Sequence, residues 1–277
     1  MTLVVLTGAT RGIGQAAAIE LARQGVEVAL VGREAARLDA VADQARATAG
    51  GAPVHQYLAD LTLMAEVRAL ADQIREHHGP LDVLANNAGA RFAKRAETSE
   101  GLERTFALNH LAPFLLTNLL RDRLRGGRVV TTASDAHLSG LLDLEDLQSE
   151  TSYGAMRAYA TSKLCNILFT RELAKRAPEL RATCFHPGIV RTGFGKNEPG
   201  IWRILMTLGG PLLRSPQHGA RSLLWLATSD EAASLTGAYV QDERAVLPSL
   251  QAQDETLAEG LWDRSAALVG LPGGASQ

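Results

Sequence analysis

Apolar residues recur along this chain in two alternating rhythms. Short unbroken runs rich in Val, Leu and Ala are separated by longer stretches in which apolar residues return every three or four positions. Leu3 to Leu6, Val26 to Val31, Val54 to Leu58 and Leu81 to Ala85 are the short runs, and they read as strands. Gln15 to Gln24, Ala35 to Ala49 and Leu61 to His77 carry the helical spacing between them. That βαβα order predicts an α/β, doubly wound parallel sheet flanked by helices. The rhythm continues with a long helical region over Leu102 to Arg125, in which Pro113 predicts a kink or a new helical start. A fifth strand is expected over Gly127 to Thr132 and a sixth over Ala182 to Phe185, with a helix carrying Tyr159 and Lys163 between them. Helix Pro216 to Ser229, a last strand Gly237 to Val240 and an amphipathic helix Asp254 to Leu268 complete the pattern. No internal repeat or linker breaks it, so one domain is expected over residues 1–270, with a flexible tail at 271–277.

Composition narrows the partners. A chain of 277 residues with 46% hydrophobic content supports a substantial core. The net charge of -2 and the scattering of Lys and Arg leave no footprint for nucleic acid, so a small-molecule partner is expected. Cys165 and Cys184 sit in apolar segments outside any metal-ligand spacing and read as reduced, buried thiols, which fits a cytoplasmic location. Met1 to Leu6 lacks the features of a signal peptide and is too short to span a membrane.

The first strand runs into Thr7-Gly8-Ala9-Thr10-Arg11-Gly12-Ile13-Gly14, followed by helical sequence. In such a turn one glycine allows the tight exit from the strand, one lets the backbone approach a pyrophosphate, and one lets the helix pack against the sheet. The helix N-terminus adds N–H groups and a positive dipole end. The second strand ends at Gly32-Arg33-Glu34. An acidic residue near this point suits the ribose 2′-hydroxyl of NAD, whereas a guanidinium suits the 2′-phosphate of NADP. Arg33, with Arg11 as a second cation, favours NADP(H); a Glu34 carboxylate turned to the ribose would favour NAD(H), and its other placement is the first turn of the next helix. Asp60 closes the third strand, where its carboxylate could meet an adenine amino group. The fourth strand runs into Asn86-Asn87-Ala88-Gly89 at the same edge.

Tyr159 and Lys163 are four residues apart, which puts both on one helix face. An ammonium close to a phenol favours the phenolate, so the pair could be an acid-base catalyst with a lowered tyrosine pKa. Alone, Y-x-x-x-K is also a common spacing of exposed helices.

TGATRGIG, Asp60, NNAG and YATSK, in this order, resemble the short-chain dehydrogenase/reductase family, classical type, from residue 3 to about residue 240. The resemblance implies a single Rossmann-type domain with a seven-stranded parallel sheet. It implies catalytic roles for Asn109, Ser134, Tyr159 and Lys163, with Asn109 holding a water behind the lysine and Ala133 replacing a frequent serine. Cofactor contacts are implied for Thr7, Gly8, Arg11, Gly12, Ile13, Gly14, Arg33, Asp60, Leu61, Asn87, Ala88 and Gly89. Tyr159, Lys163, Pro187, Gly188, Val190 and Thr192 would complete them. His137 follows Ser134 closely and reads as structural. A hydride would pass between the nicotinamide and a carbonyl carbon while Ser134 and Tyr159 serve the oxygen.

The H-P-G turn at His186, the later S-P-x-x-G-A and T-G-x-Y strings resemble the retinol-dehydrogenase-like branch. Eukaryotic members of that branch often carry an N-terminal anchor, whereas this chain starts at its first strand. The family's substrate lid would fall at about 193–215, and Ile201 to Leu213 is strongly apolar there. It reads as the wall of a lipophilic pocket, as a buried helix, or as a shallow membrane-surface contact aided by Trp202, Arg203 and Arg214. The expected activity is NADP(H)-dependent interconversion of a lipophilic aldehyde or ketone and its alcohol. A cofactor-binding sensor or scaffold without catalysis is the alternative, and nucleotide-sugar epimerase-like relatives usually carry a larger C-terminal region. The family's dimer surfaces lie on the Leu102 to Arg125 and Tyr159 helices, so a homo-oligomer is expected.

Overall fold

The structure is a computed structural model that describes residues 2–188 and 214–272. The expected cofactor contacts Val190 and Thr192, the expected lid from 193 to 213 with Trp202 and Arg203, and the tail from 273 onward lie outside the described residues.

The strands β1 (Leu3–Thr7), β2 (Glu27–Gly32), β3 (Val54–Leu58), β4 (Val83–Asn86), β5 (Arg128–Thr132), β6 (Arg181–His186) and β7 (Ala238–Gln241) form a parallel sheet. A short β8 (Arg244–Val246) adds an antiparallel edge, giving the order β3-β2-β1-β4-β5-β6-β7-β8. The seven parallel strands match the expectation; the eighth is an addition. It arises because Asp242 and Glu243 both adopt left-handed backbone, with φ of 48° and 61°, and make a tight hairpin. Arg214 and Arg221 hold the two turn carboxylates, the latter at 3.1 Å from Glu243. Without an Asn-Gly signal the turn left no mark in the sequence.

Each central strand feeds two cores. In β1, Val4 and Leu6 face one side with Val28, Leu30, Val83 and Ala85, while Leu3 and Val5 face the other with Ala29, Val31 and Leu84. A strand covered on both faces must be apolar at every position, which is why the sequence shows runs and not alternation. Helices α1 (Gly12–Arg23), α2 (Ala35–Thr48) and α7 (Pro216–Thr228) close the first core. Helices α3 (Met64–His77), α5 (Ala112–Leu120), α6 (Ala155–Arg176) and α8 (Glu255–Leu268) close the second. Among the described residues no helix is long and apolar enough to cross a membrane.

Two boundaries differ informatively from the sequence reading. Helix α3 begins at Met64, not Leu61, because the Glu100 carboxylate accepts hydrogen bonds from the N–H groups of Met64 and Ala65 at 2.6 and 2.9 Å. A cap delivered from 36 residues away has no local signature. The long helical region is broken into α4 (Arg104–Phe106), a π-helical turn at Ala107–Leu111 and α5, which has Pro113 in its first turn. Pro113 thus marks the new start that the sequence suggested, and the wide turn before it carries Asn109.

Candidate active site

The strand order reverses between β1 and β4, and a crevice opens at the carboxyl ends of the strands beside such a switch point. Thr7, Asn86, Thr132 and His186 end four of these strands. Gly8 leaves β1 at φ 68°, and a Cβ there would stand 2.7 Å from Ala88 Cα. Gly14 is tighter still: its Cβ would meet Gly8 O at 2.1 Å and Asn87 Nδ2 at 2.6 Å. Only glycine lets α1 approach this closely. Gly12 opens α1 at φ 55°, no side chain caps the helix, and its first turn holds no acidic residue. A pyrophosphate therefore fits here, against the N–H groups and positive dipole end.

The side chain of Asn87 fastens the floor of the crevice. Its Nδ2 donates to Thr7 O at 3.0 Å and Gly8 O at 3.3 Å, while its Oδ1 accepts from Thr132 Oγ1 at 3.5 Å. Thr7 Oγ1 accepts from the N–H groups of Asn87 and Ala88 at 2.9 and 3.1 Å. At the outer end of β2, Arg33 is exposed and Glu34 is the N-cap of α2. The Glu34 carboxylate is gripped by Arg11 at 2.9 Å and Arg37 at 3.0 Å. Arg37 was not anticipated, although it lies three residues beyond Glu34 on the same helix. Asp60 Oδ1 accepts from the N–H of Thr62 at 3.0 Å, and the Leu61 side chain is buried in the core. Leu61 can offer the crevice its backbone only.

Asn109, Ser134, Tyr159 and Lys163 converge on the other side of β4. Lys163 Nζ donates to Thr132 O at 2.8 Å and stands 5.6 Å from the centre of the Tyr159 ring. Asn166, one turn further along α6, donates to the same carbonyl at 3.1 Å. Asn109 brackets Ala90, accepting from its N–H at 2.8 Å and donating to its O at 2.9 Å, and reaches Ser162 Oγ at 2.9 Å. Gly89 lies between the two groups: a Cβ there would be 3.2 Å from Asn109 Oδ1 and 3.4 Å from Lys163 Nζ. The π turn swings Asn109 into this position. Ser134 caps a short 3-10 turn, accepts from Ala136 N at 3.1 Å and is hydrogen-bonded to the Tyr159 side chain.

Burial dominates the electrostatics. It pushes the Tyr159 hydroxyl up to about 12, against the smaller downward pulls of the Ser134 hydrogen bond and the Arg91 charge. It pushes Lys163 down to about 8. The lowered tyrosine pKa expected from the i, i+4 spacing is therefore not what this site has: desolvation of the phenolate outweighs its neighbours. A neutral phenol beside a cationic lysine is set to give a proton. Sequence reasoning missed Thr132, Asn166 and Arg91; of these only Asn166, three residues from Lys163 on the same helix, had a signal to follow.

His137 has both ring nitrogens engaged, with Nδ1 2.8 Å from Ser134 O and Nε2 accepting from Ser249 N at 3.1 Å. It is a structural residue, as read from the sequence. Asp135 ties the same loop to β7 through the Tyr239 hydroxyl at 2.7 Å. Pro187 and Gly188 leave β6 at the crevice rim, with Gly188 at φ 79° against Arg214. Both cysteines are buried free thiols, and burial pushes Cys184 up to about 12.

A doubly wound sheet with a glycine-built phosphate cradle and a tyrosine–lysine pair at its switch point defines a nucleotide-binding oxidoreductase of Rossmann type. The chain belongs to the short-chain dehydrogenase family, whose model matches residues 2–199. It is 43% identical over 96% of its length to the "Putative daunorubicin C-13 ketoreductase" of Streptomyces sp. (strain C5), covering 92% of that protein. It is 37% identical to human retinol dehydrogenase 13 over 97% of this chain and 84% of that one. A crystal structure of an uncharacterised protein from Mycobacterium paratuberculosis superposes with a TM-score of 0.81 at 34% identity, covering 99% of this chain and 95% of that one. These relatives place it in the retinol-dehydrogenase-like branch.

Proposed function

We propose that this chain is an NADP(H)-dependent oxidoreductase that interconverts a lipophilic carbonyl and its alcohol, with Tyr159 as the proton donor and acceptor. The observation that carries the reading is the Ser134–Tyr159 hydrogen bond beside Lys163, with the phenol neutral and the lysine pinned to Thr132. When bound, the nicotinamide cofactor supplies or takes the hydride. Ser134 and Tyr159 donate hydrogen bonds to the carbonyl oxygen as negative charge grows there, and Tyr159 passes its proton to that oxygen. Lys163 adds positive charge behind the tyrosine, and Asn109 holds the Ala90 backbone and Ser162 in place around it.

The turn from Thr7 to Gly14 would take the pyrophosphate, and Arg33 and Arg11 the 2′-phosphate; Asp60, Leu61 backbone and the Asn87-Ala88-Gly89 segment would line the adenosine and nicotinamide ends. A lipophilic substrate is supported by Leu138 and Leu141, exposed just beyond Ser134, and by Leu247 and Leu250, exposed on the segment that His137 joins to this loop. It is supported also by relatives named for daunorubicin and for retinol.

The test is consumption of NADPH by the purified chain against daunorubicin, retinaldehyde and simpler ketones, run beside NADH and beside Tyr159→Phe. Turnover that Tyr159→Phe lowers by about 100-fold or more, with cofactor affinity kept, is expected. Retained turnover in that variant would remove Tyr159 from the reaction, and tight cofactor binding with no turnover in either direction would favour a sensor.

A further inference from the structure

A second cluster of reactive side chains lies away from the cleft, where β2 and β3 begin. Glu27 is the first residue of β2, His55 the second of β3, and His78 caps the C-terminal end of α3. His55 pairs with Ala29, two residues from Glu27, so the strand register brings Glu27 and His55 to one face. His55 Nε2 lies 2.9 Å and His78 Nδ1 3.9 Å from Glu27 Oε1. One ligand atom from each of the three residues falls within 4.8 Å of the other two. The two imidazoles meet edge to face, with centroids 4.7 Å apart.

The neighbours of His78 decide which of its nitrogens can act as a ligand. Its Nε2 is 2.8 Å from the Tyr57 hydroxyl, and that hydroxyl is 3.3 Å from His77 Nδ1. Tyr57 has one proton and two imidazole partners. Its closer contact holds Nε2 of His78, which leaves Nδ1 as the nitrogen free to bind a ligand. That Nδ1 faces the Glu27 carboxylate oxygen, and an ion between them would take the place of any proton Nδ1 carries. A ligating imidazole whose other nitrogen is held by a hydrogen bond is the usual construction of a metal-binding histidine.

We propose that Glu27, His55 and His78 bind one divalent transition-metal ion of the zinc class. Tyr57 and His77 orient His78, and solvent completes the coordination. Two imidazoles and a carboxylate match the ligand preference of zinc. Zinc bonds of about 2.0–2.2 Å require these ligand atoms to move to even spacing. His78 is fixed and nearly buried, whereas the His55 side chain is 37% exposed and can rotate. That exposure also gives the ion its way in. The ion would join β2, β3 and α3 at the sheet edge opposite Tyr159, so it would act on stability and not on the reaction.

The experiment is a titration of the chelator-treated full chain with cobalt(II), followed by visible absorption and then by zinc competition. One equivalent of cobalt with tetrahedral absorption, displaced by zinc, is expected. His55→Ala and Glu27→Gln, both at partly exposed positions, should lose that equivalent while keeping the wild-type circular dichroism. Tyr57→Phe should weaken it about 10-fold to 100-fold, the range for partners that orient a ligand. Free zinc at 100 times its dissociation constant should raise the folded-to-unfolded ratio about 100-fold in wild type and not in His55→Ala. The proposal is overturned if wild type takes up neither ion, or if His55→Ala and Glu27→Gln bind as wild type does, since other groups would then hold the metal.

Discussion

Lys163 Nζ donates a hydrogen bond of 2.8 Å to the carbonyl oxygen of Thr132, the last residue of β5. The bond fixes a buried positive charge at the carboxyl edge of the sheet, and Asn166 donates to the same oxygen. Helix α6 is thereby registered against the strand that leads to Ser134. The charge is costly where it stands, and its cost and its use can be measured separately.

The carbonyl reduction proposed for this chain would need both Tyr159 and Lys163 protonated. With Tyr159 raised to about 12 and Lys163 lowered to about 8, the reductive kcat/KM should be level through neutral pH and fall as pH rises through about 8. Alcohol oxidation, which needs the phenolate, should instead rise with pH. Rates measured from pH 6 to 10 in both directions check this, and a reductive profile flat to pH 10 would deny Lys163 its electrostatic part.

Lys163 should also be a stability liability. Its ordinary value of 10.5 holds in the unfolded chain, against about 8 when folded. Below about 8 both states carry the charge and the folded state bears the full burial cost; between about 8 and 10.5 the unfolded state binds more protons, so stability rises with pH. Lys163→Met should therefore raise the thermal midpoint at pH 7, worth about 1–3 kcal/mol, while abolishing turnover. The gain should fade above about pH 10 in melting curves. A variant less stable than wild type at pH 7 would show that the bond to Thr132 outweighs desolvation.

Gly14 and Gly25 separate crowding from backbone strain. Gly14→Ala would place a Cβ 2.1 Å from Gly8 O and force α1 off the sheet. A loss of about 3 kcal/mol or more in urea unfolding is expected, together with weaker cofactor binding. Gly25 has φ 75° but nothing within 4 Å of its added Cβ. Gly25→Ala should cost only about 1 kcal/mol and leave the cofactor alone.

Arg33→Ala should raise the KM for NADPH more than that for NADH. Glu34→Gln acts in the opposite sense, because it frees Arg11 and Arg37 from a shared carboxylate. Its effect should be at most about 10-fold, as these ion pairs are exposed and weak. Equal changes for both cofactors would show that no arginine here reads the 2′-phosphate.

Much of the candidate site was legible in the sequence because its requirements are local. Gly8, Gly12 and Gly14 answer to backbone geometry within one turn, and Tyr159 and Lys163 to helix periodicity. Asn87 and Ser134 follow strand ends and could be placed once the strands were read. Arg37 lay one helical turn from Glu34 and went unread. The Glu100 cap of α3, the Thr132 acceptor and the Asp242–Glu243 hairpin join positions or conformations with no local mark.

The sequence by itself determined the alternation of strands and helices, the glycine turn and the helical spacing of the tyrosine and lysine. These follow from sterics and side-chain periodicity acting over a few residues. Only the tertiary structure decided that burial keeps the Tyr159 phenol neutral, that Lys163 is pinned to Thr132, and that Glu27, His55 and His78 meet. Desolvation depends on everything packed around a group, and the contact between Lys163 and Thr132 spans 31 residues of chain. Neither exists until the sheet has closed both of its faces.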